Sequence, residues 1–383
     1  MKILLATPLY PPEIGGPATY IKELCERWRD QHDLTVVAFA STAEPIPGIK
    51  LITVSKKRAL PLRLAKFTWE LWKAAKGQEI IYAQNAVAAG LPAAIVGKLR
   101  NIPVIIKFVG DEAWERATQA KLTTKQLEEF LEHPDPTTPY MRLLTKVQGW
   151  VLRHVSLATT PSQYLRDAIV RAYHIPPERG VVNYNATEKA EILPFEGEVH
   201  PHQVVATARL VEWKGIDGII RAVAILKPRF PDITLLVAGD GPDEEKLKTV
   251  AKEAGVEKEV QFLGRVSRAQ TWHIRKSSRV YVLNSTYEGL PHTVLTSFSA
   301  GIPTVATDIP GTNEAVYNEK TGLLVPVGDD KALADAIARY FEDDALCTKV
   351  TEGARNIIEE KFSWDAHLRT LLEQMHMLTQ KKR

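Results

Sequence analysis

The chain has 383 residues, the length of two or three ordinary domains, which argues against a single small binding module. Hydrophobic residues make up 45% of it, charged residues 25% and aromatic residues 8%, a composition that excludes a disordered, collagen-like or low-complexity protein. The net charge of +3 is divided unevenly: residues 1–190 hold 25 basic and 18 acidic residues, whereas residues 191–383 hold 24 and 28. The first half is therefore the basic one.

Short β-rich apolar runs alternate with amphipathic helical stretches in both halves, a pattern typical of βα units and parallel sheets. The first half predicts strands over 2–7, 34–39, 50–54, 79–83, 104–108 and 157–160. Its predicted helices lie near 17–30, 63–76, 88–99, 140–154 and 163–172. The second half predicts strands over 204–207, 234–238, 260–263, 280–283, 304–307 and 323–325. Its predicted helices lie near 216–227, 243–254, 268–276, 292–300, 330–342, 345–360 and 364–379.

Periodicity is lost over 185–202, where Glu, Pro and Gly accumulate, so this segment is predicted to link two domains. The fold class that follows is α/β, with two parallel-sheet domains that would leave a cleft between them if they face each other. The domains are placed at 1–188 and 200–363, and the C-terminal helix over 364–383 is expected to pack back on the first. Because ligands of such sheets bind outside the carboxyl ends of the strands, the loops after the strands are where we expect chemistry.

Cysteine usage and hydropathy indicate the compartment. Cys25 and Cys347 stand far apart in helical patterns, so buried reduced thiols are expected rather than a disulfide framework or a zinc site. The histidines, including His200 and His202, show no metal-ligand set. The first residues are too short an apolar run for a signal peptide, and no other run is long enough to span a bilayer. We therefore expect a cytoplasmic protein.

The densest basic segment is 56–76, KKRALPLRLAKFTWELWKAAK, with seven basic residues, one acidic residue and several interleaved aromatic and leucine side chains. A cationic helix of this kind can bind an anionic membrane surface. The more ordinary interpretation, which we favour, is a helix that packs its apolar side on a sheet and exposes its lysines. Nucleic acid is not expected as a partner, because no nucleic-acid-binding motif accompanies the charge.

Two loops carry features suited to a phosphate. After the first strand, Gly15 and Gly16 precede Pro17 at a predicted helix start, where free amides and the helix dipole attract anions. The loop after the strand over 204–207 carries Arg209 and Lys214, with Glu212 as the one obvious acidic neighbour. Two cations at one strand end suit a diphosphate, although a turn and a salt-bridged loop explain the two segments equally simply.

A third loop follows the strand over 280–283 and reads NSTYEGLPHTV. It places Glu288 before Gly289, which permits a sharp turn, and Pro291, which begins a helix with unpaired first amides. A carboxylate beside such amides suits a site that binds both the hydroxyls and the phosphate of a sugar phosphate. A glutamate in a loop is, however, more often a helix cap.

The motifs GGPATYIKEL, ARLVEWKGID, GDGPDEEKL, FLGRVS, YEGLPHTVLTSFSAGIPTVAT and GLLVPVGDDKALADAI, closed by FSW, occur in this order along nearly the whole chain. This combination resembles the retaining glycosyltransferases of family 4. The resemblance implies two Rossmann-like domains of the GT-B type facing each other across a cleft, with a nucleotide-sugar donor held mainly by the second domain and the acceptor by the first. It also implies that neither a metal nor another cofactor is needed, because basic side chains and amides neutralise the leaving diphosphate.

The resemblance assigns roles to individual residues. Arg209 and Lys214 fall on the diphosphate-binding pair, Gly16 on the glycine loop that closes over the phosphates, and Glu288 on the first glutamate of a Glu, seven residues, Glu motif that faces the donor sugar. The remaining positions expected to line the donor site are Arg265, Val266, Gly289, Leu290, His292, Thr293 and Thr296. Thr296 stands where the family has its second glutamate, which grips the ribose, so the identity of the nucleotide is open.

In the first domain many members of the family have a histidine after the strand equivalent to 104–108, but this chain reads KFVGDEAWERA. Asp111 is our choice for the polar residue that contacts the sugar beside the anomeric carbon. Trp114 is expected to pack rather than to stack on a sugar, and His292 to cap the helix or line the pocket.

The function that the resemblance implies is transfer of a sugar, with retention, from a nucleotide-sugar to a hydroxyl of a glycan or a lipid-linked acceptor. The enzyme would be hexosyltransferase-like and would serve the synthesis of a polysaccharide or glycolipid. The basic segment leaves open a peripheral position on the inner face of a membrane. Two alternatives remain: a GT-B-type sugar-nucleotide epimerase, and a nucleotide-sugar binder without catalysis, which Thr296 motivates.

Overall fold

The computed structural model describes residues 1–13, 15–57, 59–133, 135, 138–187, 195 and 197–380. Spatial contacts divide the chain into two compact units, which we describe separately. Unit 1 comprises Met1–Asn183 with Thr370–Arg383, and unit 2 comprises Tyr184–Arg369.

The strands of unit 1 are β1 (Lys2–Thr7), β2 (Asp33–Phe39), β3 (Lys50–Val54), β4 (Ile80–Gln84), β5 (Val104–Lys107), β6 (Leu157–Thr160) and β7 (Gly180–Val182). Its helices are α1 (Gly16–Trp28), α2 (Leu60–Ala74), α3 (Gly90–Arg100), α4 (Glu112–Gln119), α5 (Leu127–Glu132), α6 (Pro139–His154) and α7 (Gln163–Tyr173).

The described strands of unit 1 form one parallel sheet in the order β3-β2-β1-β4-β5-β6-β7. The central strands are apolar on both faces: Ile3, Leu4, Leu5 and Ala6 of β1 have no exposed surface, and all of β4 is buried. Continuous burial of this kind is expected of a parallel sheet covered by helices on both faces.

Unit 2 contains the strands β8 (His200–Thr207), β9 (Thr234–Ala238), β10 (Val260–Gly264), β11 (Ser278–Leu283), β12 (Thr304–Thr307) and β13 (Leu323–Val325). Its helices are α8 (Ile216–Leu226), α9 (Glu244–Glu253), α10 (Arg268–Lys276), α11 (His292–Ala300), α12 (Asp330–Glu342) and α13 (Asp344–Lys361). A last helix, α14 (Trp364–Gln380), begins in unit 2, and its residues from Thr370 onward belong to unit 1.

The described strands of unit 2 also form a parallel sheet, in the order β10-β9-β8-β11-β12-β13. Successive strand residues point into two separate apolar clusters. Val204 and Val282 pack with residues of α8, α9 and α12, whereas Val205 and Tyr281 pack with residues of α11 and α13. The sheet is therefore covered on both faces, which is the doubly wound architecture that the alternating pattern predicted.

The predicted strands and helices are present, with ends shifted by a few residues. Among the α-helices and strands of the described residues, those not predicted are α4, α5 and the three-residue edge strand β7. The segment predicted to be a linker over 185–202 overlaps β8, because this strand begins at His200, where the register pairs His200 with Ser278 of β11. Residues 188–194 and 196 of that segment lie outside the described residues.

Several smaller predictions can be compared directly. Cys25 and Cys347 are buried free thiols, as expected. Trp114 packs rather than faces solvent: it is 3% exposed, and its indole Nε1 donates to the Lys125 carbonyl at 2.9 Å. In the described part of the chain, we find no helix whose length and hydropathy would allow it to cross a membrane.

Candidate functional site

The candidate site lies at the carboxyl edge of the sheet of unit 2. β8 has β9 on one side and β11 on the other, so the connections that leave β8 and β11 diverge at their carboxyl ends. Divergence of this kind opens a crevice, and it is where doubly wound sheets bind ligands. The loop after β8 carries Arg209 and Lys214, and the loop after β11 carries Glu288.

Glu288 and Lys214 meet at this edge although 74 residues separate them in sequence. The Lys214 Nζ donates to Glu288 Oε1 at 2.6 Å, and the Ser285 hydroxyl donates to the same oxygen at 2.8 Å. The two charged side chains retain 20% and 12% exposure, so they are largely enclosed yet reachable. The ion-pair partner of Lys214 is thus Glu288, a residue of another loop, and not its sequence neighbour Glu212.

Hydrogen bonds to backbone carbonyls hold the two loops in this arrangement. The Thr286 amide donates to the Trp213 carbonyl at 2.8 Å, and the Asn284 side chain donates to the Gly215 carbonyl at 2.9 Å. Gly215 has a φ of +60°, and a Cβ there would lie 2.1 Å from the Asn284 carbonyl oxygen, so only glycine fits. Gly215 is both the C-cap of the short 3₁₀ helix Glu212–Lys214 and the N-cap of α8.

A second glycine packs closely against the backbone of Glu288. Gly311 has a φ of +83°, and a Cβ there would lie 2.3 Å from the Glu288 carbonyl oxygen. Sequence analysis named neither Gly311 nor Ser285, Asn284 and Gly215 as site residues. The turn-forming dipeptide PG at Gly311 was the available signal, but it does not reveal which backbone approaches the glycine.

The residues between Glu288 and α11 behave as the start of a helix. The N-cap position of α11 is occupied by Pro291, which provides no side-chain hydrogen bond. Glu288 stands three residues earlier and is therefore not the cap of this helix. Gly289 and Thr293 are partly exposed, Leu290 is buried, and His292 is exposed, with its Nε2 3.3 Å from the Ala186 carbonyl oxygen. The uncapped first amides and the positive end of the dipole favour an anion here.

The other predicted donor-site residues are less constrained. Arg209 is exposed and forms no ion pair with the described residues. Arg265 is 83% exposed, and its Nε donates to Asp240 at 2.7 Å, while Val266 is partly exposed beside it. Thr296 lies in the second turn of α11 and is partly exposed, but its hydroxyl accepts a hydrogen bond from Arg275 at 2.6 Å.

Two predicted residues belong to unit 1. Gly16 begins α1 at the carboxyl edge of that sheet, and a Cβ added to it would meet no atom within 4 Å, so neighbouring groups do not require glycine there. Asp111 has no exposed surface. Its Oδ1 accepts from the Trp114 amide at 2.9 Å, and its Oδ2 accepts from Gln148 at 3.1 Å and from the Tyr173 hydroxyl.

Asp111 therefore caps α4 inside unit 1. Burial raises the pKa of the Asp111 carboxyl, although the hydrogen bonds from Tyr173, Trp114 and Gln148 oppose this. The sequence-based contact between Asp111 and the sugar stays a prediction that this geometry does not support, because a fully enclosed carboxylate cannot touch a ligand. Within the described residues, no group of three or more His, Cys, Asp or Glu is arranged to hold a metal ion.

Two family models match the chain in succession. Residues 15–186 match the glycosyl transferase 4-like domain, and residues 190–357 match glycosyl transferases group 1. Among curated relatives, the chain is 32% identical over 160 residues to a lipopolysaccharide core biosynthesis glycosyltransferase, LpsD, of Rhizobium meliloti (strain 1021), which covers 42% of this chain and 45% of the relative. It is 26% identical over 226 residues to a glycogen synthase of Mycobacterium tuberculosis, which covers 58% of this chain and 54% of the relative. The matches to these two relatives span about half the length of each.

Solved structures extend the likeness over the whole chain. Anabaena Alr3699/HepE in complex with UDP superposes with a TM-score of 0.75 at 20% identity, covering 98% of this chain and 100% of that one. WaaG, a glycosyltransferase involved in lipopolysaccharide biosynthesis, gives a TM-score of 0.69 at 14% identity, covering 96% and 98%. At these identities the likeness establishes the fold alone.

Proposed function

Because the chain belongs to the family 4-like glycosyltransferases with the GT-B fold, we propose that it transfers a sugar with retention from a nucleotide-sugar to a hydroxyl of a glycan or lipid-linked acceptor. The observation that carries this proposal is the contact between Lys214 and Glu288 at the carboxyl edge of unit 2. It joins a cation for a diphosphate to a carboxylate for sugar hydroxyls, beside the uncapped amides of α11.

In this proposal Lys214, Arg209 and the first amides of α11 hold the diphosphate, and Glu288 accepts hydrogen bonds from the donor sugar. The bond between the anomeric carbon and the diphosphate oxygen breaks first. The departing oxygen then takes the proton of the acceptor hydroxyl, whose oxygen forms the new bond on the same face. The protein contributes mainly fixed charges and dipoles, so we also propose that no metal is needed and that turnover persists in a chelator.

UDP-sugars are the first donors to test, because Anabaena Alr3699/HepE was solved with UDP and with UDP-glucose. We would titrate UDP-, GDP- and ADP-sugars into the wild type and into Lys214→Ala and Glu288→Ala by calorimetry. Loss of the lysine charge is expected to weaken binding of the preferred donor by about 10- to 100-fold.

A matched ion pair at the other end of α8 provides the control. Lys227 Nζ lies 2.8 Å from Glu259 Oε1, just beyond the helix that follows Lys214. Lys227→Ala and Glu259→Ala remove the same charges, and the donor affinity should stay at the wild-type value. Binding of no donor to the wild type, or equal losses in both pairs, would refute a donor site at Lys214.

A nucleotide-sugar binder without turnover is the second candidate, favoured by the engagement of the Thr296 hydroxyl with Arg275. Binding of a donor without release of its sugar to water or to any acceptor in a panel of glycans and lipid-linked sugars would support this candidate. Release of the nucleotide with a new α-linkage from an α-donor would support retaining transfer.

We further propose that α2 of unit 1 contacts an anionic membrane. Phe67, Leu71 and Ala74 anchor one side of the helix in the core. The opposite side presents Leu62 (63% exposed) and Trp69 (60% exposed), with the exposed lysines Lys66 and Lys73 at the same helical spacing. On an anionic membrane, exposed apolar side chains can enter the acyl-chain boundary while lysines contact the negative headgroups. This side of α2 fits such a surface.

The structure also sharpens the choice of variants. Lys56 is paired with Glu13, and Arg63 donates to the Lys56 carbonyl at 3.5 Å, so both are occupied within unit 1, and Arg58 lies outside the described residues. A triple variant of Leu62, Lys66 and Trp69 to serine should therefore abolish sedimentation with phosphatidylglycerol vesicles. The control is the exposed pair Val327→Ser and Lys331→Ser in unit 2. Unchanged binding of the triple variant would rule out this surface.

A further inference from the structure

Arg275 in the last turn of α10 is a buried cation that sequence analysis did not single out. The residue is 5% exposed. Its Nη1 donates to Thr296 Oγ1 at 2.6 Å, and its Nη2 donates to Thr207 Oγ1 at 2.6 Å. Its Cζ also lies 5.3 Å from the centroid of the Tyr281 ring.

The charge of Arg275 is not neutralised nearby. In the part of the chain that the structure describes, the guanidinium forms no ion pair, and its Nε has no hydrogen-bond partner. Burial lowers the pKa of Arg275, but a guanidinium stays protonated at physiological pH. Because an unpaired buried charge is costly to a fold, its presence calls for a role other than stability.

Arg275 contacts both β8 and α11, the two elements beside the candidate donor site. Thr207 is the last residue of β8 and stands two residues before Arg209. Thr296 lies in the second turn of α11, the helix that follows Glu288. The two guanidinium nitrogens thus connect the carboxyl end of β8 to α11.

The contact with Arg275 also limits what the Thr296 hydroxyl can bind. It accepts from Arg275, and its own proton faces the carbonyls of His292 at 3.1 Å and Thr293 at 3.0 Å. A hydroxyl has one proton to donate, so Thr296 has none left for a nucleotide. Its part in the site is to seat the guanidinium against the first turn of α11.

We propose that Arg275 is a positioning residue of the donor site: it fixes the spacing between β8 and α11 through Thr207 and Thr296 and keeps a positive charge behind the loops that receive the diphosphate. This inference rests on the proposed function, because it requires a diphosphate at that edge. A charge held in a poorly polarisable interior acts on a phosphate more strongly than the same charge in water. The charge of Arg275 should therefore strengthen the binding of UDP much more than the binding of uridine.

The test compares the calorimetric Kd of UDP with that of uridine in the wild type, Arg275→Gln, Arg275→Lys and Lys276→Gln. Arg275→Gln should weaken UDP binding about tenfold and uridine binding less than about twofold, since only the diphosphate senses the charge. Arg275→Lys, which keeps the charge, should recover most of the UDP affinity. Lys276→Gln removes the same charge from the next residue, which lies over the Trp272 ring, and should leave both Kd values unchanged.

If Arg275 has a purely structural role, Arg275→Gln should lower the melting temperature and leave the UDP affinity intact, or weaken the binding of UDP and uridine equally. Either result overturns the proposal. If Arg275→Gln does not fold, Thr296→Val replaces it, because it removes one anchor of the guanidinium and keeps the charge and the volume. Thr296→Val should then weaken UDP by about threefold, and an unchanged Kd would refute the tie. A wild type that binds UDP while the variants behave like it refutes this inference alone, whereas a wild type that binds no diphosphate refutes the proposed function with it.

Discussion

Lys107, at the carboxyl end of β5, is 7% exposed, and burial lowers its pKa from 10.5 to about 7. Its Nζ lies 4.3 Å from the centroid of the Tyr20 ring, and the Tyr20 hydroxyl is 2.9 Å from that of Tyr82. The ring face offers the ammonium a weak attraction, which is smaller than the hydration that the ammonium loses. A titratable amine is thus held in the interior of unit 1.

The pH dependence of this group has a defined sign. Between pH 7 and pH 10.5 the unfolded chain binds more protons at this lysine than the folded chain does, so the contribution of Lys107 to the free energy of unfolding rises with pH in that window. Below pH 7 both states carry the proton, and the contribution is at its most unfavourable.

We expect Lys107→Met to raise the free energy of unfolding by about 2 kcal/mol at pH 6, because a methionine of similar length avoids burying a charge. The gain should shrink steadily towards pH 10. Urea unfolding at several pH values would measure it, with the exposed Lys98→Met as the control for a lost surface charge. A gain that is the same at every pH would contradict the assigned pKa.

At the scale of elements, α4 depends on Asp111, the residue that the sequence predicted to contact the sugar. The helix begins after Asp111, whose side chain satisfies the Trp114 amide and is itself held by Gln148 of α6 and Tyr173 of α7. The carboxylate thus connects three helices of unit 1. Its role is visible only from these partners, which come from distant parts of the chain.

Asp111→Ala should lower the free energy of unfolding by about 3 kcal/mol, because it removes a helix cap and leaves two buried donors unsatisfied. Asp111→Asn keeps the cap and should cost less. Differential scanning calorimetry gives the stabilities, and a UDP titration checks that unit 2 is intact. If Asp111→Asn instead melts like the wild type but loses turnover, the predicted contact with the sugar would regain support.

At the scale of the whole molecule, the chain returns to its first unit at the end. α14 starts at Trp364 in unit 2, but its residues from Thr370 onward belong to unit 1, and Leu371 and Met375 have no exposed surface. Their spacing of four residues places both on one face of the helix. Unit 1 is therefore built from segments at both ends of the sequence.

Leu371→Ala should destabilise unit 1 by about 2–5 kcal/mol, the usual cost of a cavity left by a buried leucine. Hydrogen exchange should show lost protection in β1–β7, which end at Val182, far from Leu371 in sequence, while β8–β13 keep theirs. Met377→Ala, a 37% exposed position on the same helix, is the control and should have little effect. Loss of protection confined to β8–β13 would contradict the grouping of this helix with unit 1.

Local information in the sequence was sufficient for most of the elements. Alternating apolar runs and amphipathic stretches predicted β1, β3, β6, β9, α10, α11 and α12 at their observed bounds, because strand and helix periods differ sharply in long regular segments. The motifs also indicated which loops carry Lys214 and Glu288. The short helices α4 and α5 were not predicted, since one or two turns contain too little periodicity to stand out. β7 was not predicted either: it begins at Gly180, a residue that more often marks a turn.

The tertiary structure decided which of these loops meet. Strand order is not encoded locally: β8 could neighbour several strands, and only its pairing with β11 brings Lys214 to Glu288. Packing likewise enclosed Asp111, paired Lys214 with a distant carboxylate instead of Glu212, and buried Arg275 between Thr207 and Thr296. Sequence by itself therefore determined the elements and the family, because both depend on residues near one another in the chain. The partners of each charge depend on long-range packing, and these only the fold could supply.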